Sequence, residues 1–387
     1  AASDVYKRQI QHQIYVILFF ILKTNVFNFK EFQMSNTIID TSREFFLDIV
    51  LPIIQDKFPE ETSNTAFGAF GLGSEVLGMD DSYSRDHHFG LRINALVPDD
   101  IFQKKSKIIS ETVASNLPET YKGESLAATI SNAGTALALD SFEAYLKRMI
   151  GISHYPNSDQ EWLSIPEEDI IHIINGELWH DPSEAFTNIR KKFKNYYPDN
   201  IWKRRIAHWC RYCSGMGSYA LKRAILRDNN VFATVAFGKT IRWYVQLGFL
   251  LDRVYFPYDK WIWHFFEKLP RMADRLSNLI EESVKMSTDW NRKLDLLDEM
   301  ADVIDLTLVE DKIIKPHPKF KKSDTSGYRL LEHAYKEILD ELPDELLIAP
   351  NWDQIYLEGF VANYVKNGID SETWLGLLNL DENLGKD

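Results

Sequence analysis

The chain has 387 residues, 45% hydrophobic and 13% aromatic, enough to bury a core and to build two packed modules, which excludes a disordered or low-complexity protein. Fifty-seven acidic against forty-four basic side chains give a formal charge of -13. That excludes a surface that as a whole attracts nucleic acid or anionic membrane, so an anionic ligand must be met by a local basic patch. The only two cysteines, Cys210 and Cys213, are too few for a disulfide framework and point to a reducing cytoplasm.

Residues 1–9, AASDVYKRQ, read as the translation of a transposase adapter, and the first methionine is Met34. The apolar run IYVILFFIL at 14–22 is too short to span a bilayer and has no cleavage site after it. The expectation is that 1–33 are adapter and upstream sequence, outside the fold, the alternative being a genuine amphipathic or signal-like extension. From 42 to 58 apolar residues recur at helical spacing (Phe45, Phe46, Ile49, Val50, Ile53, Ile54), with Thr41 or Ser42 placed to cap. AFGAFG (66–71) and GLRINALV (90–97) are short, apolar and glycine-edged, and read as strands. Helical spacing returns over 99–116 after Pro98, and 131–146 is small and apolar before turning helical at Ser141. After Pro166 helix follows helix, broken at YYPD (196–199), RDNN (227–230) and YFPYD (255–259). The pattern predicts an α+β protein: a small mixed-sheet domain over 41–165 and an all-helical domain over 166–380. No flexible linker marks the border, so the two parts are expected to share an interface.

The stretch between the first two strands, GLGSEVLGMDDSYSRDHHFG (71–90), gathers glycine, serine and four carboxylates ahead of a histidine pair. Glycine lets a backbone approach phosphate closely and a serine hydroxyl can donate to a phosphate oxygen, roles that Gly73 and Ser74 suit. Side chains two apart on a strand share a face, and Asp86 and His88 have that spacing. Taken alone, the stretch is equally a solvated turn, with Asp80, Asp81 and Ser82 in the bend and Asp86 steadying the next strand.

A Gly-Ser pair followed a dozen positions on by Asp-x-Asp resembles the DNA polymerase beta-like nucleotidyltransferase superfamily, to which kanamycin nucleotidyltransferase belongs. More closely, GSEVLGMDDSYSRDHHFG resembles an uncharacterised domain-of-unknown-function family in that superfamily, with the wording Gly-Ser-Glu-x-x-Gly-x-Asp-Asp-x-x-Ser-x-Asp-His-Asp-Trp-Gly. The similarity continues through WLSIPEEDIIHIINGELWHDP (162–182), FKNYYPDNIWKRRIAHW (193–209) and FLLDRVYFPYDKWIWHFFEKLP (249–270). The resemblance implies a nucleotidyltransferase-like fold and transfer of a nucleoside monophosphate, from ATP, to a hydroxyl on a small-molecule or macromolecular acceptor. It implies a divalent metal, magnesium or manganese, on Asp86 and His88. The third ligand falls near Thr135, with Asp140 the nearest acid. His88 stands where the family pattern has aspartate, and Phe89 where it has tryptophan. Imidazole suits zinc or manganese better than magnesium, so a degraded site serving as a nucleotide-binding or interaction scaffold stays open. His87 or His88 would be the general base. Lys260, assisted by Arg223 or Arg227, would offset triphosphate charge, by analogy with the helical module of the kanamycin enzyme.

Two other features compete. CRYC (210–213) with His208 offers half a zinc ligand set and is expected to be helix interior. The strip at 190–205 carries Arg190, Lys191, Lys192, Lys194, Lys203, Arg204 and Arg205 among Phe193, Tyr196, Tyr197 and Trp202. It reads as a solvated helix face, or alternatively as a polyanion-binding surface. The expected partners are a nucleoside triphosphate and an acceptor, with neither membrane nor nucleic acid.

Overall fold

The computed structural model describes residues 37–84, 90–122, 124–126, 137–321 and 326–346. The opening helix starts earlier than the apolar spacing suggests: α1 (Ile38–Phe45) is capped by Thr37, not by Thr41 or Ser42. Thr37 accepts from the backbone of Asp40, whose carboxylate returns a bond to the Thr37 N–H, a reciprocal capping box. A π-helical segment (Phe46–Val50) joins α1 to α2 (Leu51–Lys57), and α3 (Pro59–Thr62) turns the chain into β1 (Ala66–Ala69).

Strand β2 (Ile93–Val97) runs antiparallel to β1, with Ala66 opposite Leu96 and Gly68 opposite Asn94. After α4 (Asp99–Asn116) come the short ladder of β3 (Thr120–Tyr121) and β4 (Glu124–Ser125). Strand β5 (Leu137–Ser141) pairs parallel to β2, from Ile93 opposite Leu137 to Val97 opposite Ser141. Its last residue, Ser141, caps α5 (Phe142–Ile150) by accepting from the Ala144 N–H. Helices α6 (Asp159–Ser164) and α7 (Ile171–Ile174) then lead to β6 (Glu177–His180). This strand lies in a stretch read as wholly helical, yet it pairs antiparallel to β1 and completes the sheet in the order β5-β2-β1-β6. Gly176 makes the join possible: its φ is +68°, and a Cβ there would stand 2.1 Å from the Ala69 carbonyl oxygen, so only a glycine fits.

The rest of the described chain is helical: α8 (Ala185–Lys194), α9 (Asp199–Arg211), a π-helical segment (Tyr212–Tyr219), α10 (Ala220–Ile225) and α11 (Asn230–Leu251). It continues as α12 (Asp259–Phe266), α13 (Met272–Val284), α14 (Trp290–Glu310) and α15 (Ser326–Asp340). The architecture is α+β, a small mixed sheet followed by a helical region, as the sequence pattern predicts.

Each face of the sheet buries a different core. Phe67, Ile93, Ala95 and Leu137 pack with Phe45, Phe46, Val50 and Ile54 and with Ile109 and Val113 of α4. Ala66, Phe70 and Leu96 join Tyr145, Phe186 and Trp209 in a cluster that runs on through the helical region. The expected shared interface is therefore continuous hydrophobic core. No helix among the described residues is long and apolar enough to cross a membrane.

Candidate functional site

The loop after β1 is held from below before it reaches Ser74. Gly71, at φ +89°, has its N–H bonded to Asn175 Oδ1 (3.3 Å), while its carbonyl accepts from Asn175 Nδ2 (3.1 Å) and His172 Nδ1 (3.3 Å). One asparagine amide thus copies the pairing that a strand would give a single residue. The Tyr145 hydroxyl donates to the His172 carbonyl at 2.9 Å, and burial pushes that phenol above its ordinary range. Beneath Asn175, the buried Arg190 donates through Nη2 to the carbonyls of Ile174 (2.7 Å), Asn175 (2.8 Å) and Gly176 (3.0 Å). Burial lowers the pKa of this arginine.

Above the loop sits the turn into α12. Trp261 Nε1 donates to Ser74 Oγ at 2.9 Å, and the Tyr258 hydroxyl lies 3.0 Å from the same oxygen. One residue along, Lys260 Nζ donates to Ser84 Oγ at 3.0 Å. Ser84 and Tyr83 N–H groups both bond Asp81 Oδ1 (2.8 and 3.0 Å). The hydrogen bonds from Ser84, with Lys260 nearby, hold the exposed Asp81 carboxyl below the usual carboxylate range. On the loop's other flank, Arg92 Nη2 pairs with Glu75 at 3.1 Å and reaches the Phe70 carbonyl at 3.5 Å. Gly73 has φ +127°, and a Cβ there would meet the Glu75 carboxylate at 2.4 Å. Two cations and a network of hydroxyl, indole and phenol donors therefore gather around a glycine-serine turn, a combination suited to phosphate oxygens.

The structure places Ser74, next to Gly73, against the turn into α12, whose Lys260 bonds Ser84 and not Ser74. Asp86, His87 and His88 lie outside the described residues, as does Thr135. Asp140 sits on β5 in a depression of about 200 Å³ lined by Asn94, Leu96, Tyr145 and Arg148. Its carboxylate is ion-paired with Arg148 and accepts from the Ser141 N–H at 2.9 Å, so a metal ion on Asp140 would have to replace a guanidinium. No three His, Cys, Asp or Glu side chains gather into a metal-holding group among the described residues. Arg223 lies over the Tyr219 ring (4.8 Å), which packs tilted against Tyr328 of α15; none of these contacts reaches the loop.

The basic strip at 190–205 is neither a solvated face nor a polyanion surface as a whole, because three of its seven cations are buried. Arg190 has the carbonyls given above, Arg204 donates to the Leu346 carbonyl (2.8 Å), and Arg205 pairs with Glu167 (2.8 Å). Burial pushes Arg204 down to about 10. Cys210 and Cys213 are buried and unpaired as thiols, and His208 packs its ring on Trp209 and Tyr212, which agrees with helix interior.

Sequence reasoning missed Tyr258 and Trp261 as partners of Ser74, and Asn175 altogether. VYFPYDKWIW was conspicuous in the sequence, but its aromatics read as turn packing, and nothing local ties them to a serine 184 and 187 positions earlier.

With that geometry in place, the comparisons are informative about one side of the site. The family described as a domain of unknown function (DUF4037) matches residues 162–262. That span carries Asn175, Arg190, Tyr258, Lys260 and Trp261 and stops short of the glycine-serine loop. A solved structure of a nucleotidyltransferase-like protein from Exiguobacterium sibiricum is 11% identical, with a TM-score of 0.36, over 75% of this chain and 89% of that one. A likeness of that size fixes neither fold nor residue correspondence. Among curated proteins, none matches the chain.

Proposed function

We propose that the loop at Gly73 and Ser74 binds the phosphates of a nucleoside triphosphate, and that the reaction is transfer of a nucleoside monophosphate, from ATP, to a hydroxyl acceptor. The observation that carries this reading is the convergence of Ser74, Tyr258 and Trp261, with Lys260 on Ser84, across the sheet and helical parts. In this reading Ser74 donates to a phosphate oxygen and Lys260 offsets triphosphate charge, while Tyr258 and Trp261 orient the serine hydroxyl. The acceptor oxygen bonds to the α-phosphorus, the bond to the β-phosphate breaks and pyrophosphate leaves. The acceptor's proton passes to His87, because a His88 that holds the metal has no lone pair left to take it. Divalent metal belongs to the proposal through Asp86 and His88, and Asp140, engaged by Arg148, is not counted among its ligands.

A second reading, nucleotide binding without turnover, draws support from that same Asp140 and Arg148 ion pair, which occupies the one described acid near the expected position of the third metal ligand. Calorimetric titration with ATP, in magnesium and then in manganese, tests both. Wild-type binding weakened about tenfold or more by Ser74→Ala and by Lys260→Ala, roughly 1.4 kcal/mol or more each, supports the site. Metal-dependent binding lost in Asp86→Ala supports the transfer reaction, whereas binding indifferent to metal and to Asp86 supports the scaffold. No binding of ATP by the wild type removes both.

A further inference from the structure

Six large apolar side chains with high exposure fall within twenty residues of one another: Met216, Tyr219, Leu226 (76% exposed), Val231 (81%), Phe232 and Val235. They lie on the π-helical segment before α10, the turn after α10, and the first turns of α11. Isolated exposed apolar residues need no explanation, but three elements that pack on one another and each leave apolar side chains exposed mark a contact surface. Among them stand the exposed cations Lys222, Arg223, Arg227 and Lys239, and the one acid within 216–239 is Asp228. None of the four forms an ion pair among the described residues, and Arg223 instead lies over the Tyr219 ring. In a chain of net charge -13, a basic apolar surface selects an acidic apolar occupant.

We propose that this surface is the seat of the acidic C-terminal stretch of the same chain, residues 347–387. That stretch holds seven carboxylates and two lysines, interspersed with Ile355, Tyr356, Phe360, Val361, Tyr364, Trp374 and several leucines. The other long stretch outside the described residues, 1–36, is as apolar but carries four Lys or Arg against two acids, so its charge has the wrong sign. A second copy docking the same surface would set like charges face to face.

Reach is sufficient. Arg204 of α9 bonds the Leu346 carbonyl, Arg211 pairs with Glu332 (2.6 Å), and the Tyr219 ring packs against Tyr328. Helix α15 therefore runs antiparallel to α9 and the following π segment, with Leu346 at the far end. Fifteen helical residues cover about 22 Å, a distance that about seven extended residues retrace. The remaining stretch then meets the surface intramolecularly, at an effective concentration set by a short connection.

The test is carbodiimide cross-linking of the full-length protein followed by peptide mass spectrometry, which joins lysine amines to carboxylates in direct contact. Lys222 and Lys239 are expected to link to acids of the C-terminal stretch, such as Glu358, Asp370 or Glu372, within the monomer. Links from those lysines only to other acids, only within a cross-linked dimer, or to none would overturn the proposal. A second readout is independent of cross-linking chemistry: the full-length triple variant Lys222→Glu, Arg223→Glu, Arg227→Glu should show a severalfold rise in fluorescence of an apolar-surface dye at unchanged melting temperature. Wild-type dye binding already at the variant's level overturns the proposal. So does co-flotation of the wild type with phosphatidylglycerol vesicles but not phosphatidylcholine vesicles, an outcome that assigns the surface to lipid.

Discussion

Asn175 has more to do than its exposure suggests, because both ends of its amide are committed to the peptide groups of one glycine. Replacing it with alanine takes from the Gly71 N–H the Asn175 Oδ1 that accepts its hydrogen bond and leaves the Gly71 carbonyl with His172. An orphaned backbone group in a partly buried setting costs about 1–3 kcal/mol, so Asn175→Ala should lower the free energy of unfolding by about that amount in urea denaturation. It should also weaken ATP binding beyond that of a surface control variant, since the Gly71 peptide sets the direction of the loop that presents Ser74. Gly176→Ala is the harsher change. Its Cβ would stand 2.1 Å from a backbone oxygen of β1, which no rotamer relieves, and loss of the β6 pairing should show as a protein that does not refold cooperatively. Gly73 and Ser74 stood out in the sequence because the proposed phosphate contact would restrict residue type there. Asn175 was not, because an asparagine clamping a distant turn looks like any asparagine ahead of a glycine.

At the scale of elements, apolar spacing located α4, β1 and β2 and the helical second half, but it failed at β6. Glu177, Leu178, Trp179 and His180 are all partly buried, so the strand lacks the in-and-out alternation that marks a half-buried strand. What defines it is backbone contact with β1 on the far side of a glycine turn. The strip at 190–205 misled for a related reason: charge predicts exposure until partners from other elements arrive. Arg205 shows the consequence. It lies fully buried on α9 with Glu167, and it donates to the carbonyls of Trp162 (3.1 Å) and Ile165 (2.8 Å), while Trp209 donates to Glu167 at 3.0 Å. Removing one member of such a pair leaves a buried uncompensated charge, at a cost of about 3–5 kcal/mol. Arg205→Met should therefore destabilise strongly, and Arg205→Met combined with Glu167→Leu should cost clearly less than the sum of the two single changes. A double-mutant cycle by denaturant titration measures the difference, and additivity would mean that α9 is held to the 162–167 segment by packing alone.

Over the whole molecule, the last described helices are joined by a titratable contact whose sign can be worked out. His317, in the connection from α14 to α15, places Nε2 2.8 Å from Asp305 of α14 and Nδ1 3.1 Å from the Pro318 carbonyl. Its ring lies 4.3 Å from that of His333 on α15, which pairs with Glu337 at 3.0 Å. Burial opposes charge on His317, but the hydrogen bond and charge of Asp305, the Pro318 carbonyl and Glu337 outweigh it, so its pKa is raised above the ordinary 6.5. A histidine that binds its proton more tightly when folded stabilises the protein fully below the unfolded value, and this contribution is lost as pH rises through the folded value. Unfolding free energy should therefore decline as pH rises from about 6 towards 8, and His317→Gln should remove that decline while lowering stability mainly on the acid side. If the variant keeps the wild-type slope, His317 is not its source, and the junction of α14 with α15 rests on the apolar cluster that Ile304, Leu308, Leu331 and Ala334 share.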